Sequence, residues 1–193
     1  MINKKLILAS ASPRRRFLLS QLGIDFTVEP STEEENIDTS TQPHILAADL
    51  AESKAMNVAM RHKDSLVLGA DTIVAIDGRI LGKPKDSKQA AEMLSLLSGR
   101  WHYVYTGLAL IDTESGKQIK DYEESRVRFK NLTSREIKNY INTGEPFDKA
   151  GAYGIQGKGS LFIEKIEGCY YNIVGLPLFK LNTMLLKFGI ELL

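Results

Sequence analysis

Three consecutive arginines, Arg14 to Arg16, follow a serine-rich turn near the beginning of the chain. A guanidinium forms paired hydrogen bonds with phosphate oxygens, so such a block indicates an anion site. Ser12 and Pro13, just before it, predict the first residues of a helix, whose free N–H groups and dipole also attract an anion. Consecutive residues fan around a helix, however, so a solvent-exposed basic face is the alternative.

A carboxylate interrupts an otherwise apolar stretch, Ser65 to Ile76, with the sequence SLVLGADTIVAI. The stretch predicts a buried β-strand, and burying Asp71 there is costly unless the carboxylate is paired or bound to a metal ion. The alternative is an aspartate at a strand bulge that accepts hydrogen bonds from backbone N–H groups. A second acidic group, Glu33 to Glu35, lies in a polar loop, where a solvated run of charges is the alternative to a site.

Two lysines stand at positions where an ammonium group could meet a phosphate. Lys54 lies among alanines on a helix predicted over His44 to Met60, and the alternative is a side chain that lays its stem over apolar surface. Lys83 follows Gly82, at which a backbone can approach a ligand closely. Each lysine alone is a weak signal.

A glycine-rich stretch, GEPFDKAGAYGIQGKGS, begins at Gly144. It is too polar for a core and too aromatic for a linker, so it fits a loop that lies against a planar ligand. Gln156 can donate and accept a hydrogen bond in one plane, as the edge of a nucleobase requires. A surface loop with glycine turns is the alternative.

The elements that must position these residues follow from apolar periodicity and turn signals. His102 alternates with aromatic residues along its strand, and we interpret it as structural. The predicted strands are Leu6 to Ala9, Ser65 to Ile76, Arg79 to Leu81, Trp101 to Asp112, Lys117 to Leu132, Leu161 to Ile166 and a short strand in YYNIV. The predicted helices begin at Pro13, after the Ser12 cap, and at His44, Ser87 and Ser134, and a last helix follows the Gly-Leu-Pro segment.

This mixture of strands and helices, with no break in composition, predicts an α/β protein. We expect a single domain over residues 1–193 around a mixed β-sheet, with two lobes joined near Gly99 as one option. The sequence contains no glycine-rich phosphate-loop motif of the Walker type and no GxGxxG, GxSxG or HExxH pattern.

Composition excludes several classes of protein. The 193 residues include 25 basic and 24 acidic side chains, and a net charge of +1 argues against a surface that coats nucleic acid or an anionic membrane. Cys169 is the only cysteine, which excludes an internal disulfide and a cysteine zinc cage. No signal peptide or membrane-length apolar run is evident, so we expect a cytoplasmic protein.

Several segments resemble, in order and nearly in wording, the Maf family of nucleoside triphosphate pyrophosphatases. They are LILASASPRRRFLL, GADTIV, GRILGKPKD, LSGRWHYVYTG, GEPFDKAGAYGIQGKGS and GCYYNIVGLPL. The resemblance runs from about Leu6 to about Leu186 and implies hydrolysis between the α and β phosphates, with a divalent cation such as Mg²⁺, Mn²⁺ or Co²⁺. It also implies the α/β fold of inosine triphosphate pyrophosphatases, an elongated mixed sheet with two lobes around a cleft, which is commonly found as a homodimer.

The resemblance also implies roles for residues that match the family's motifs. Asp71 matches the aspartate assigned as proton acceptor, and with Glu35 it would bind the metal ion; whether Asp71 takes the proton or mainly holds the metal stays open. Glu35 is the last of three consecutive glutamates, Glu33 to Glu35. The residues implied in phosphate binding are Ser10, Ser12, Arg14, Arg15, Lys54 and Lys83.

Substrate selection is implied by three further matches, Arg14, Thr72 and Gln156. These residues are typical of the subgroup that resembles dTTP and UTP pyrophosphatases, whereas the branch acting on 7-methyl-GTP has tryptophan and glutamate in place of Arg14 and Gln156. The implied substrates are therefore dTTP and UTP, or modified pyrimidine nucleotides, and Tyr153 would stack on or border the base. The family is also associated with arrest of septum formation, so a nucleotide-binding regulatory protein with incidental hydrolysis is the alternative.

Overall fold

The structure is a computed structural model that describes residues 4–33 and 41–193. Its centre is a seven-stranded mixed sheet in the order β2-β1-β3-β5-β6-β7, with β4 paired to β3. The α/β class and the mixed sheet predicted above are confirmed. The strands are β1 (Lys5–Leu8), β2 (Phe26–Val28), β3 (Ser65–Ile76), β4 (Arg79–Leu81), β5 (Trp101–Asp112), β6 (Gln118–Phe129) and β7 (Ile163–Gly168).

Helices cover both faces of this sheet, and short 3-10 turns make up most of the glycine-rich stretch. In residues 4–33 and 41–193, no helix is long and apolar enough to cross a membrane. The helices are α1 (Pro13–Ser20), α2 (Pro43–Ala59), α3 (Ser87–Leu97), α4 (Ser134–Ile141), α5 (Tyr170–Val174) and α6 (Leu178–Leu186). The 3-10 turns are Glu145–Asp148, Ala150–Ala152 and Gly157–Phe162.

Two large apolar clusters lie towards opposite ends of the long strands. The first includes Leu68 of β3 together with Leu181 and Leu185 of α6. The second includes Leu94 of α3 and Phe129 of β6. Because β3 and β5 contribute to both clusters, the sheet runs through both halves of the molecule without a break.

One edge of β3 is only partly covered by neighbouring strands. The parallel strand β1 pairs with residues 65–68, and the antiparallel strand β4 pairs with residues 74–76. Between them, residues 69–73 have no strand partner on this side within the described part of the chain. Side chains of a strand alternate between faces, so at such an opening Asp71 and Thr72 can both reach the same space from opposite faces.

Helix α2 lies unusually close to the sheet because glycines face it. A Cβ atom added at Gly69 would lie 2.1 Å from the carbonyl oxygen of Ala51, and one at Gly107 would lie 2.0 Å from that of Ala47. Any larger residue at either position therefore displaces the helix or the strand. The close approach places Lys54, which follows Ala51 by one turn of α2, next to β3.

The short strand predicted in YYNIV is wrong, since these residues form the helix α5. Their aromatic and β-branched side chains favour a strand locally, but tertiary contacts override that preference. The fully buried Asn172 donates through Nδ2 to the Val104 carbonyl and to Ser125 Oγ, each at 2.9 Å. Gly175 ends the helix with a φ of +115°, a value that favours glycine.

His102 is fully buried, as its structural interpretation requires. Its Nε2 lies 2.7 Å from the Tyr153 hydroxyl, and its ring packs edge-on against Phe129 and Tyr153. Burial lowers the pKa of His102 from 6.5 to about 3. The folded protein therefore excludes a proton that the unfolded chain binds at mildly acidic pH.

We predict that this difference makes the fold acid-sensitive. Below pH 6.5 the unfolded chain takes up a proton at His102 that the folded chain refuses until about pH 3, so stability falls as the pH falls through this window. The loss approaches about 1.4 kcal/mol per pH unit. Urea unfolding measures this loss of stability in the wild type and in His102→Gln. The useful range is about pH 4.5 to 6.5, above the pH at which carboxylates usually titrate. Equal slopes for the two proteins would contradict the prediction.

Candidate active site

A cavity of about 610 Å³ opens at the uncovered edge of β3, between the two apolar clusters. All the site residues predicted above that lie within the described residues line it. They are Ser10, Ser12, Arg14, Arg15, Lys54, Asp71, Thr72, Lys83, Tyr153 and Gln156. Glu35, the second predicted metal ligand, lies outside the described residues. The cavity therefore brings together residues that are up to 146 positions apart, from Ser10 to Gln156.

Asp71 and Lys54 form an ion pair at the cavity wall. The Lys54 Nζ lies 2.5 Å from Asp71 Oδ1, with 15% and 11% of the two side chains exposed. Asp71 lies in regular register opposite Gly107, so the alternative of a strand bulge is wrong. A buried carboxylate needs a partner, and α2 supplies it through the close helix–sheet approach.

Helix α1 begins at the cavity as its sequence predicts. Ser12 is the N-cap, and its Oγ accepts a hydrogen bond from the Arg15 amide at 3.5 Å. The Ser12 amide donates to Ser10 Oγ at 3.3 Å, which folds the turn back over the end of β1. The three arginines diverge from this point, and Arg16 is exposed and does not line the cavity.

Arg15 is directed inward and ties three elements together. Its Nε donates to the Gly175 carbonyl at 2.8 Å, Nη1 to Ser10 Oγ at 3.1 Å and Nη2 to Thr72 Oγ1 at 2.9 Å. The residue thus joins α1 to β3 and to the end of α5, and it presents a positive charge to the cavity from a fixed position. Motif matching indicated a phosphate contact here but not this structural connection.

Arg14 reaches the cavity rim, where it meets the glycine-rich stretch. Its Nη1 lies 3.0 Å from Asp148 Oδ2, and the other oxygen of Asp148 lies 2.5 Å from Lys149 Nζ. Burial raises the pKa of the Asp148 carboxyl, but hydrogen bonds from Lys149 and Arg14 outweigh burial and leave the pKa below its usual value. Two cations at the rim therefore share one carboxylate, which a polyphosphate would have to displace.

Asp148 and Lys149 both line the cavity, and the sequence-based predictions missed them. The only available signal was an Asp-Lys pair in a glycine-rich stretch. The remaining predicted residues differ in exposure: Lys83 is exposed, Gln156 is half-buried, and Tyr153 is 5% exposed. Because its hydroxyl and ring edges are held in the core by His102 and Phe129, Tyr153 borders the cavity.

Comparison with known families matches residues 5–188 to the family described as Maf-like protein. The chain belongs to the Maf family. Curated Maf relatives with the name dTTP/UTP pyrophosphatase include a Caldicellulosiruptor saccharolyticus protein, 52% identical over 98% of each chain. Others of that name are from Dictyoglomus turgidum, 48% identical over 100% of each chain, and Alkaliphilus oremlandii, 54% identical over 98% of this chain and 100% of that protein.

Among solved structures, that of the Staphylococcus aureus Ham1 protein aligns with a TM-score of 0.44 and 12% sequence identity, over 65% of this Maf chain and 72% of that chain.

Proposed function

We propose that this Maf protein hydrolyses dTTP and UTP to the nucleoside monophosphate and pyrophosphate. The observation that carries the proposal is the Asp71–Lys54 pair in the wall of a cavity of about 610 Å³ that the arginine-bearing end of α1 also lines. The names of the relatives at about half identity agree with this activity. Phosphoryl transfer needs negative charge to be offset and a nucleophile to be positioned, and this cavity offers side chains for both.

The cationic side chains of the cavity suit a triphosphate. Arg15 is held in a fixed position by three hydrogen bonds, and Arg14 and Lys149 lie at the rim. The exposed Lys83 faces the same space from the end of β4. The phosphate oxygens of a bound nucleotide would replace the Asp148 carboxylate as the partner of Arg14, because Arg14 forms a charge-assisted hydrogen bond with either group.

The donor set also fits a hard divalent cation, since carboxylate oxygens are the ligands that such ions prefer. Asp71 and Glu35 would hold the ion, although no three His, Cys, Asp or Glu residues cluster within residues 4–33 and 41–193. When bound, a divalent cation supplies positive charge opposite the phosphate oxygens and a lowered pKa for the attacking water. Asp71 would accept the proton of that water or orient it through its carboxylate.

Gln156 is the residue that we propose reads the base. Its half-buried side chain lines the cavity, and within the described part of the chain its carboxamide has no hydrogen-bonding partner. One amide can donate to the O4 carbonyl and accept from the N3–H of uracil or thymine, so it suits the imide edge that the two bases share.

We predict that Gln156→Glu lowers the UTP to GTP ratio of kcat/KM by about tenfold or more, because a carboxylate cannot donate to O4 but accepts from the paired donors of guanine. Steady-state kinetics with both nucleotides measures the ratio. An unchanged ratio would show that Gln156 does not read the base.

The proposed activity is tested with the purified protein and a panel of nucleoside triphosphates, each with Mg²⁺, Mn²⁺ or Co²⁺. We expect pyrophosphate as the product, with dTTP and UTP turned over fastest. Separate assays for pyrophosphate and orthophosphate distinguish cleavage between the α and β phosphates from loss of the terminal phosphate. Orthophosphate as the main product, or no turnover of dTTP and UTP, would overturn the proposal.

A further inference from the structure

A chain of hydrogen bonds runs from the cavity into the core through two threonines. Arg15 Nη2 lies 2.9 Å from Thr72 Oγ1, which lies 2.9 Å from Thr106 Oγ1. The Thr106 hydroxyl lies 2.9 Å from the carbonyl oxygen of Asn172 on α5. Thr72 and Thr106 are directly opposite each other on β3 and β5, so their side chains lie on the same face of the sheet.

The two ends of this chain determine the direction of every hydrogen bond in it. A carbonyl only accepts, so Thr106 must donate its single hydroxyl hydrogen to Asn172. The hydrogen between the threonines therefore belongs to Thr72, which donates to Thr106. A guanidinium only donates, so Thr72 accepts from Arg15. The hydroxyl of Thr72 is consequently an acceptor on its cavity side and has no hydrogen to offer a ligand.

Thr106 touches no part of the cavity, and its side chain is fully buried. Its hydroxyl is not required to satisfy the Asn172 carbonyl, because the Gly175 amide also donates to that oxygen at 3.0 Å. The hydroxyl is required to receive the Thr72 hydrogen. Without it, nothing on β5 holds the Thr72 hydroxyl in this orientation, so its lone pairs can turn away from Arg15 Nη2.

We propose that Thr106 is a positioning residue for the nucleotide site. Thr106 holds the Thr72 oxygen towards Arg15 and so fixes the Arg15 guanidinium at the cavity. This inference rests on the proposed pyrophosphatase function. It gives the buried Thr106 hydroxyl a role in substrate binding that acts only through Thr72 and Arg15. It also indicates how a threonine at position 72 can influence selectivity without donating to the base.

Three substitutions separate the hydroxyl of Thr106 from its volume. Thr106→Val keeps the volume and removes the hydroxyl, Thr106→Ala removes both, and Thr106→Ser keeps only the hydroxyl. We expect the valine and alanine proteins to lose about tenfold in kcat/KM for UTP, chiefly through KM, and the serine protein to recover most of that loss. If the valine protein does not fold, the alanine and serine proteins still give the comparison.

Ser125→Ala is the matched control. This buried hydroxyl donates to the Cys169 carbonyl at 3.0 Å and accepts from the side-chain amide of Asn172 at 2.9 Å, but it makes no hydrogen bond to Thr106, Thr72 or Arg15. We expect it to lower the melting temperature and leave KM unchanged. Wild-type KM in the valine or alanine protein, or a serine protein as impaired as alanine, would overturn the inference. If the wild type turns over neither dTTP nor UTP, the proposed function fails instead, and Kd values for UTP across the same variants then decide the role of Thr106.

Discussion

Asp71→Asn is expected to lower turnover of dTTP and UTP by about a thousandfold or more, while the protein remains folded. Asparagine has nearly the same shape but cannot accept a proton and is a poor ligand for a hard cation. In the proposed roles, loss of a general base costs roughly 100- to 10,000-fold, and loss of a metal ligand would add to that. Pyrophosphate release at saturating UTP measures the loss, and thermal unfolding shows that the variant is folded.

The chain offers a matched control for this substitution at the far end of the same sheet. Asp112 is also 8% exposed and is paired with a lysine, since Lys4 Nζ lies 2.8 Å from its carboxylate. Burial raises the pKa of Asp112, but bonds from Lys4, Ser115 and backbone amides bring it down to about 2. Asp112→Asn should cost stability and leave turnover unchanged. Equal loss of turnover in both variants would mean that Asp71 acts through folding alone.

The same variant distinguishes an enzyme from a regulatory protein that binds nucleotide. Arg14, Arg15 and Lys83 are intact in Asp71→Asn, so a triphosphate should still bind when turnover is lost. Isothermal titration calorimetry with UTP measures the affinity of the variant for the nucleotide directly. If the cellular role is binding, complementation of a deletion strain by Asp71→Asn should match the wild type; if hydrolysis is the role, complementation should fail.

The periodicity of apolar residues predicted the strands and helices that position the site, because burial against the two faces of the sheet determines where apolar residues occur along them. The predicted bounds of β3 and β5 agree with the structure at both ends, and α3 begins at the predicted Ser87. The prediction failed at α5, where four of the five residues have strand propensity but the segment forms a helix because Asn172 bonds into the core. A segment this short has too few residues for its own pattern to outweigh such contacts.

The candidate site was less accessible to prediction than the fold. Motif resemblance identified residues that line the cavity, but it could not show their bonds to one another. Arg14 meets Asp148 across 134 positions of the chain, and Thr72 meets Thr106 across 34. These partners have no local signal, because a threonine in a strand or an aspartate in a loop is ordinary on its own. Only the register of β3 with β5 and the position of α1 bring them together.

Gly69→Ala is expected to cause a large loss of stability. The new Cβ would lie 2.1 Å from the Ala51 carbonyl oxygen and 2.9 Å from the Ala55 amide nitrogen, both backbone atoms that no side-chain rotation can remove. Helix α2 must therefore move away from β3. We expect the free energy of unfolding to fall by roughly 3 kcal/mol, the upper end of the usual cost of overpacking. Urea unfolding measures this change.

Gly82→Ala is the control for stability, because a Cβ there meets no atom within 4 Å and the backbone does not have a positive φ. It should leave the urea midpoint close to that of the wild type, and a similar loss in both variants would contradict the packing argument.

The displacement of α2 in Gly69→Ala should also lower the rate of turnover. Lys54 lies on α2 between Ala51 and Ala55, so a shift of about 1 Å at Gly69 moves its ammonium from Asp71, and misplacements of that size cost about a hundredfold in rate. If Gly69→Ala loses more turnover than its folded fraction accounts for, the glycine on β3 also sets the position of the Lys54–Asp71 pair. If turnover is proportional to the folded fraction, the role of Gly69 is limited to packing.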